Sequence, residues 1–437
     1  MNAPIPMPKT PLTCVLFFPA LIFAVSSSHA TDIARETPVG ALLPAAAGVA
    51  APRQWKSDAI TPVTEKRIAA LPAAEQAPWR AYLADSQKRA RLVTPAKKEA
   101  SPAVVSGSTY SKGARLGATA AFYASEEARS AADHIVAWQR PTGGWTKGGD
   151  YTRGPGTGEH IELPWGAGTF DNDSTTTELR FLALVISSGG SDARAATWRE
   201  SFLRGVDYVL AAQYPNGGFP QIYPLAGGYH DAVTLNDDAM VHIIDFLRDV
   251  ASQQREFAFV PAQEATAARA AADRGIACLL ATQLRTPSGR LLIWAQQYDA
   301  LTLQPCVARN FEPVAACSSE SAGVVSFLMS IEKPSPAVVR AVEAAMGWFE
   351  ATALRDVIWD RAAAKGTGLV ERAGAPLLWA RYYDLETGKP VFGDRDRSVH
   401  FAVTEISDER RNGYSWFNTR PASLEKPFNA WQLRLPR

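Results

Sequence analysis

Metal-binding side chains are scarce in this chain. Its 437 residues hold four cysteines and six histidines, with no Cys-x-x-Cys pair and no His-rich spacing. A zinc centre would have no ligand set. Neither sign of charge is in excess: 45 Lys and Arg against 44 Asp and Glu leave a net charge of +1. No global field draws the protein to nucleic acid or to an anionic membrane, and neither is expected as a partner. Long hydrophobic runs are also missing. The apolar stretch "CVLFFPALIFAV" at 14–25 falls short of an ordinary membrane span. Lys9 precedes it and "SSSHA" follows, the layout of a secretory signal cleaved after Ala30, with a retained anchor as the alternative. A secreted or periplasmic protein is expected. Cys14 opens the run and has no lipobox around it, which argues against a lipoprotein.

Loss of residues 1–30 leaves Cys278, Cys306 and Cys317. An odd count allows at most one internal disulfide. Cys306 and Cys317 can pair across a loop in an oxidising compartment, or stay as buried thiols; both readings stand.

What is present is apolar and helix-forming. With 46% hydrophobic and 20% charged residues, the chain can build a large core. Residues 31–108 form an Ala- and Pro-rich extension with short helical pieces broken at Pro72 and Pro78, and 94–108 is linker-like. Trp79 and Leu83 share a helix face there and can pack on the main domain, 109–437. In that domain Ser125 before Glu126 and Glu127 marks a helix start. Helical periods cover 174–188, 193–213, 236–254, 264–282, 319–331 and 336–352. Strand-like alternation is scarce before residue 375; after it, 376–394 reads as a hairpin about "ETGK".

The seven-residue pattern Gln-x-Pro-x-Gly-Gly-aromatic occurs twice, as "QRPTGGW" from Gln139 and "QYPNGGF" from Gln213. Each copy follows a helical segment. Proline ends the helix, the glycines permit a sharp return, and the aromatic fills the gap between layers. The expected fold is mainly all-α: an incomplete α/α toroid with a small, loop-rich, β-containing C-terminal part.

Polar residues crowd into four loops of that scaffold. "GTFDNDSTTTEL" (168–179) and "GGYHDAVTLNDDAM" (227–240) each set acids at a helix start. They read as caps favoured by the helix dipole, or as hard oxygen ligands for a cation such as Ca²⁺. "WAQQYDALTLQPCVARNFEP" (294–313) contains Arg309 and Glu312, which a structural ion pair also explains. Residues 379–417 interleave arginines with tyrosines and tryptophans. Arginine forks bind carboxylates at two points and aromatic faces stack on sugars, so an acidic carbohydrate is the favoured ligand.

At these loops the sequence resembles the family-ten pectate lyases. "QRPTGGWTK", "DNDSTTTELRFLA", "YPLAGGYHDAVTLNDDAMV", "WAQQYDALTLQPCVARNFEP" and "ARYYDLETGKPVFGDRD" fall in the family's order, from about residue 110 to the C-terminus. The resemblance implies Ca²⁺-assisted β-elimination in polygalacturonate by a monomeric enzyme. Arg309 then matches the base, working as a small neutral fraction at alkaline pH. Asp171 and Asp237 match the metal-site acids, with Asp238 an alternative to Asp237. Asn172, Thr175, Lys147, Arg381, Arg395 and Arg410 or Arg411 match substrate contacts. The family usually has Gly and Ala where this chain has Asp173 and Ser174, which bears on substrate preference. An α/α-toroid glycoside hydrolase using Asp171 and Asp237, a terpene-cyclase-like toroid and a non-catalytic carbohydrate binder are the other classes. The arginines in the loops speak against the terpene cyclase.

Overall fold

A computed structural model of the chain describes residues 53–54, 62–93, 111–155, 165–189, 192–363 and 368–435. The expected signal segment, the linker 94–108 and Cys14 lie outside the described residues. Two helices precede the main body, α1 (Glu65–Ile68) and α2 (Ala73–Ala90). Pro72 sits at the N-cap of α2, but Pro78 lies inside it and does not break it. One lost hydrogen bond is offset by burial of the face just beyond. The Trp79 ring lies 5.1 Å from that of Tyr214, and Tyr82 donates to the Ala212 carbonyl at 3.1 Å. Leu83 packs on the same core.

The body alternates helices of two layers. Short α3 (Ala120–Tyr123) leads into α4 (Glu126–Trp138), then α5 (Thr176–Ser188), α6 (Ala195–Ala212), α7 (Ala239–Ser252), α8 (Ala262–Thr282), α9 (Ser318–Met329) and α10 (Pro336–Thr352). Helices α4, α6, α8 and α10 each touch the next of their set, as do α5, α7 and α9, while α5 packs on α6 and α7 on α8. This is the double layer of an incomplete α/α toroid. Ser125 caps α4 as its sequence requires, accepting from Ala128 N at 3.3 Å.

The repeated turn has one chemistry in both copies. Gln139 Nε2 donates to the Gly143 carbonyl and to Ser201 O on α6, at 2.7 and 2.8 Å. Gln213 Nε2 does the same with Gly217 O and Ala271 O on α8, at 3.1 and 2.8 Å. Gly143 and Gly217 have φ of 104° and 90°. A Cβ at either would strike the backbone of α6 or α8, 2.6 Å from Arg204 O or 2.2 Å from Arg274 O. Only glycine meets both demands. The aromatic plug is also present: Trp145 is buried and its indole N–H donates to Ile135 O of α4 at 2.7 Å.

A third turn of this kind is hidden in the sequence. Gln283, the C-cap of α8, donates to Leu292 O and to Ala341 O on α10, at 2.8 and 2.9 Å. Trp294 then donates to Leu279 O at 2.7 Å. Its loop has no Gly-Gly pair, so a letter pattern does not find it.

The β-structure is small. Arg53–Gln54, Ser398–His400, Pro390–Gly393, Tyr382–Tyr383 and Ala316–Cys317 form one antiparallel sheet in that spatial order. The hairpin 382–393 turns about "ETGK" as expected. Ala316–Cys317 runs directly into α9, so the sheet sets the position of that helix start. Cys278, Cys306 and Cys317 are free thiols, so the disulfide alternative is not realised. Among the described residues no helix is long and apolar enough to cross a membrane.

Candidate active site

The two acidic helix starts are built from backbone that most residues avoid. Asn172, Asp173 and Thr175 before α5 have φ of 48°, 62° and 69°; Asp237 and Asp238 before α7 have 52° and 59°. Asn and Asp tolerate this left-handed region, but a β-branched threonine is strained there. Thr175 is fully buried and held by its hydroxyl, which accepts from Trp145 N at 3.1 Å and donates to Thr169 O at 2.9 Å. The expected substrate contact at Thr175 is therefore corrected: its hydroxyl is buried and bonded inside the turn. Asn172 stays half-exposed beside it.

Chain pairings bring distant segments to these starts. Phe170 N donates to Gln221 O at 2.9 Å, placing Gln221 next to Asp171. Strand Val233–Thr234 pairs with Gln297–Tyr298, and Leu235 N donates to Gln296 O at 2.9 Å. The result is a cleft of about 120 Å³ lined by Lys147, Asp171, Gln221, Asn236, Asp237, Gln297 and Arg309, among others. Four of the expected residues, Asp171, Asp237, Arg309 and Lys147, thus share one cavity.

The two acids are held differently. Buried Asp171 accepts from Lys147 Nζ at 2.5 Å and from Gln221 Nε2 at 2.9 Å. Asp237 accepts from the Asn236 amide at 2.6 Å. Burial, then the charges of Glu320 and Asp171, push the Asp237 carboxyl up to about 6, against the pull of Arg381. The residue as a whole is exposed, so water screens part of that push. The neighbouring Asp238 is bound to Arg420, a contact that only Gly323 admits, since a Cβ there would lie 1.9 Å from Asp238 Oδ1. Asp237 is therefore the acid that lines the cleft.

Could these residues hold a hard cation? No group of three or more His, Cys, Asp and Glu side chains converges among the described residues. The donor set is instead two carboxylates with two amide oxygens, Gln221 Oε1 and Gln297 Oε1, both buried and without a hydrogen-bond partner. Unsatisfied buried acceptors are costly unless something fills them. Oxygen donors of this kind fit Ca²⁺.

Opposite the acids stands an arginine cluster. Arg309 makes a two-point pair with buried Glu312, at 3.0 and 2.6 Å. Burial alone would lower its pKa, but that pair outweighs it and pushes Arg309 above the ordinary arginine value. The Phe311 ring lies under three guanidiniums, of Arg309, Arg395 and Arg410, at 5.0, 5.5 and 4.4 Å. Tyr414 lies under Arg309 and Arg381 at 5.7 and 5.0 Å. Arg381 is itself half-buried and paired with buried Glu320. Arg411 is not part of this group: it donates to Thr404 O and Ile406 O at 3.2 and 3.0 Å, so of the two alternatives Arg410 joins the cluster.

A hydrogen-bonded chain joins the two sides of the cleft. Tyr414 donates to Glu312 at 2.8 Å and lies 2.7 Å from the Tyr382 hydroxyl, which reaches Gln296 Oε1. Gln296 then donates to Asn236 at 2.9 Å, and Asn236 to Asp237. Sequence reasoning missed Gln221, Gln296, Phe311 and Tyr414 as site residues. Gln296, Phe311 and Tyr414 had only their position inside the polar loops as a signal, and Gln221, outside those loops, had none. Asp173, the added charge, meets His242 Nδ1 at 2.5 Å, off the alignment of a good hydrogen bond. It faces a separate pocket of about 140 Å³ with Arg180 and Asp245.

Comparison with known proteins identifies the family. A family 10 polysaccharide lyase from Cellvibrio cellulosa is similar at 33% identity and a TM-score of 0.63, over 73% of this chain and 94% of that one. An aspartate-to-alanine mutant of a family 10 polysaccharide lyase from the same organism, in complex with trigalacturonic acid, matches at 33% identity and a TM-score of 0.62 over the same shares. The curated proteins gave no match. The profile of the pectic acid lyase family matches residues 139–425. Two-thirds of the chain, including both acidic helix starts and most of the arginine cluster, thus follow one pattern, and the protein belongs to the pectic acid lyases, family 10 of the polysaccharide lyases.

Proposed function

We propose that this pectate lyase cleaves polygalacturonate by Ca²⁺-assisted β-elimination, with Arg309 as the base, leaving a 4,5-unsaturated product. The observation that carries this reading is the single cleft in which Asp171, Asp237, two orphaned glutamine oxygens and Arg309 meet. A relative's complex with trigalacturonic acid supports the substrate. The C5 hydrogen of a galacturonate is weakly acidic, because the adjacent carboxylate is already negative. Asp171 and Asp237, with Gln221 and Gln297, would hold Ca²⁺, which would supply neutralisation of that carboxylate. Arg381, Arg395 and Arg410 grip substrate carboxylates, and Asn172 and Lys147 contact the sugar at the α5 side.

Arg309 takes the C5 proton as the C4–O bond breaks, and for this it must be neutral. Its Glu312 pair opposes that form. Below the arginine pKa the neutral fraction grows about tenfold for each unit by which pH rises, so the rate should climb through the alkaline range. The unsaturated product absorbs near the ultraviolet edge and a hydrolase product does not. Incubation with polygalacturonate, with and without a chelator and with Arg309→Ala, tests the reading. Product should vanish in the chelated and mutant samples; a flat or acidic pH–rate profile would remove Arg309 as base.

The remaining assignments rest on sequence alone: residues 1–30 as a signal for export to the periplasm or beyond, 31–108 as an extension, 109–437 as the catalytic domain, and a monomeric state.

A further inference from the structure

Three arginine–glutamate pairs lie in the arginine cluster, and one differs from the others. Glu312 and Glu320 have side chains 2% exposed, and each serves its arginine from inside the protein. Glu409 is 54% exposed. It lies on the short helix α11 (Asp408–Gly413), and its carboxylate bridges two arginines. Arg395 donates to both of its oxygens at 2.9 Å, through Nε and Nη2. Arg410 donates to the same two oxygens, from Nε at 2.6 Å and from Nη2. Both guanidiniums rest on the Phe311 ring that also carries Arg309.

This is a two-arginine carboxylate clamp, beside the candidate base, already filled by a carboxylate of the chain itself. We propose that Glu409 is a stand-in for a substrate uronate: it occupies the Arg395–Arg410 clamp in the free enzyme and must be displaced by an ionised carboxylate of the polysaccharide. The inference rests on the polygalacturonate reading given above.

The energetics favour exchange over loss. An exposed carboxylate leaves its partners for water at small cost. Arg410 is only 7% exposed, and a buried guanidinium stripped of its anion is costly. Glu409 therefore leaves readily only when another anion arrives. A neutral methyl ester cannot replace it, so the clamp discriminates against esterified uronates. Arg410 first and Arg395 second hold the Glu409 carboxyl well below the usual carboxylate range, so the stand-in stays charged at any working pH.

The test compares wild type with Glu409→Gln and Glu409→Ala. Initial rates on polygalacturonate should give a KM lowered by about three- to tenfold with kcat within twofold, the scale of one or two exposed ion pairs. On highly methyl-esterified pectin the gain should disappear. A Glu409 that merely positions the two arginines would give the opposite, a raised KM. An unchanged or raised KM in both variants, with thermal unfolding unaltered, overturns the inference and leaves the lyase reading intact. Calorimetric titration with trigalacturonate reads the clamp without catalysis. Tighter binding by the variants supports the inference even if wild type releases no unsaturated product, an outcome that would sink the lyase reading alone; equal or weaker binding overturns it.

Discussion

The loops leaving α4 and α6 start with the same turn and end with different helix starts. At the turn, Gln139 and Gln213 make matching bonds, down to an arginine of the next helix in the same layer, Arg204 of α6 or Arg274 of α8, donating to each glutamine oxygen at 2.6 Å. At the far end, Asp171 is buried against a lysine, whereas Asp237 is exposed and holds only an amide. Repetition is confined to where the chain must turn and pack. Divergence lies where charges meet a common cleft. The scaffold repeats because each hairpin solves one packing problem; the site does not, because a ligand presents different groups to each side.

Substitutions can break or sharpen that contrast. The largest effect belongs to the turn. Gly217→Ala places a Cβ 2.2 Å from a backbone oxygen at φ 90°, and should cost about 3 kcal/mol or more. Gly143→Ala, with 2.6 Å to its own obstacle, should cost less. Equal midpoints in thermal unfolding of the two would mean that the turns are not graded by that approach.

The same isosteric change should then have opposite signs at the two helix starts. Asp171→Asn breaks the charge pair with Lys147, which is partly exposed, and should destabilise by about 1–2 kcal/mol. Asp237→Asn should stabilise slightly. A carboxyl whose folded pKa lies above its unfolded value adds stability below the unfolded pKa, near 3.9, and loses it as pH rises through about 6. Above that pH the charged form is a burden that asparagine lacks. Screening at an exposed residue limits the gain to a few tenths of a kcal/mol. Thermal unfolding at pH 4 and pH 8, without added divalent ions, reads both signs. Destabilisation by Asp237→Asn at pH 8 would show that the two starts are alike after all.

The smallest expected effect separates two adjacent arginines. Arg410→Ala should lower kcat/KM on polygalacturonate by about tenfold or more, since it removes a two-point carboxylate contact. Arg411→Ala should stay within about twofold, because its donors serve backbone carbonyls.

Helix periods, the Ser125 cap, the Gln-turn glycines and the aromatic plug are local features. Each follows from what a few consecutive residues can adopt, so they are legible without tertiary knowledge. The order of five motifs also sufficed to point to the family. The third turn at Gln283 was not legible, since its bonds to Leu292 and Ala341 do not depend on a Gly-Gly pair. Pro78 misled in the other direction: a local penalty gave way to the packing of Trp79 and Tyr82.

By itself, then, the sequence determined a two-layer helical scaffold and the polar loops that crown it. Tertiary structure alone decided which member of each ambiguous pair meets the cleft. Asp237 faces it because Asp238 is engaged by Arg420, 182 residues away. Arg410 reaches Phe311 while Arg411 turns to its own loop. Thr175 is withdrawn by bonds to Trp145 and Thr169. Neighbours in a tight turn point in different directions, and for Asp238, Arg410 and Thr175 a partner that claims the side chain lies far along the chain, where no local pattern reaches.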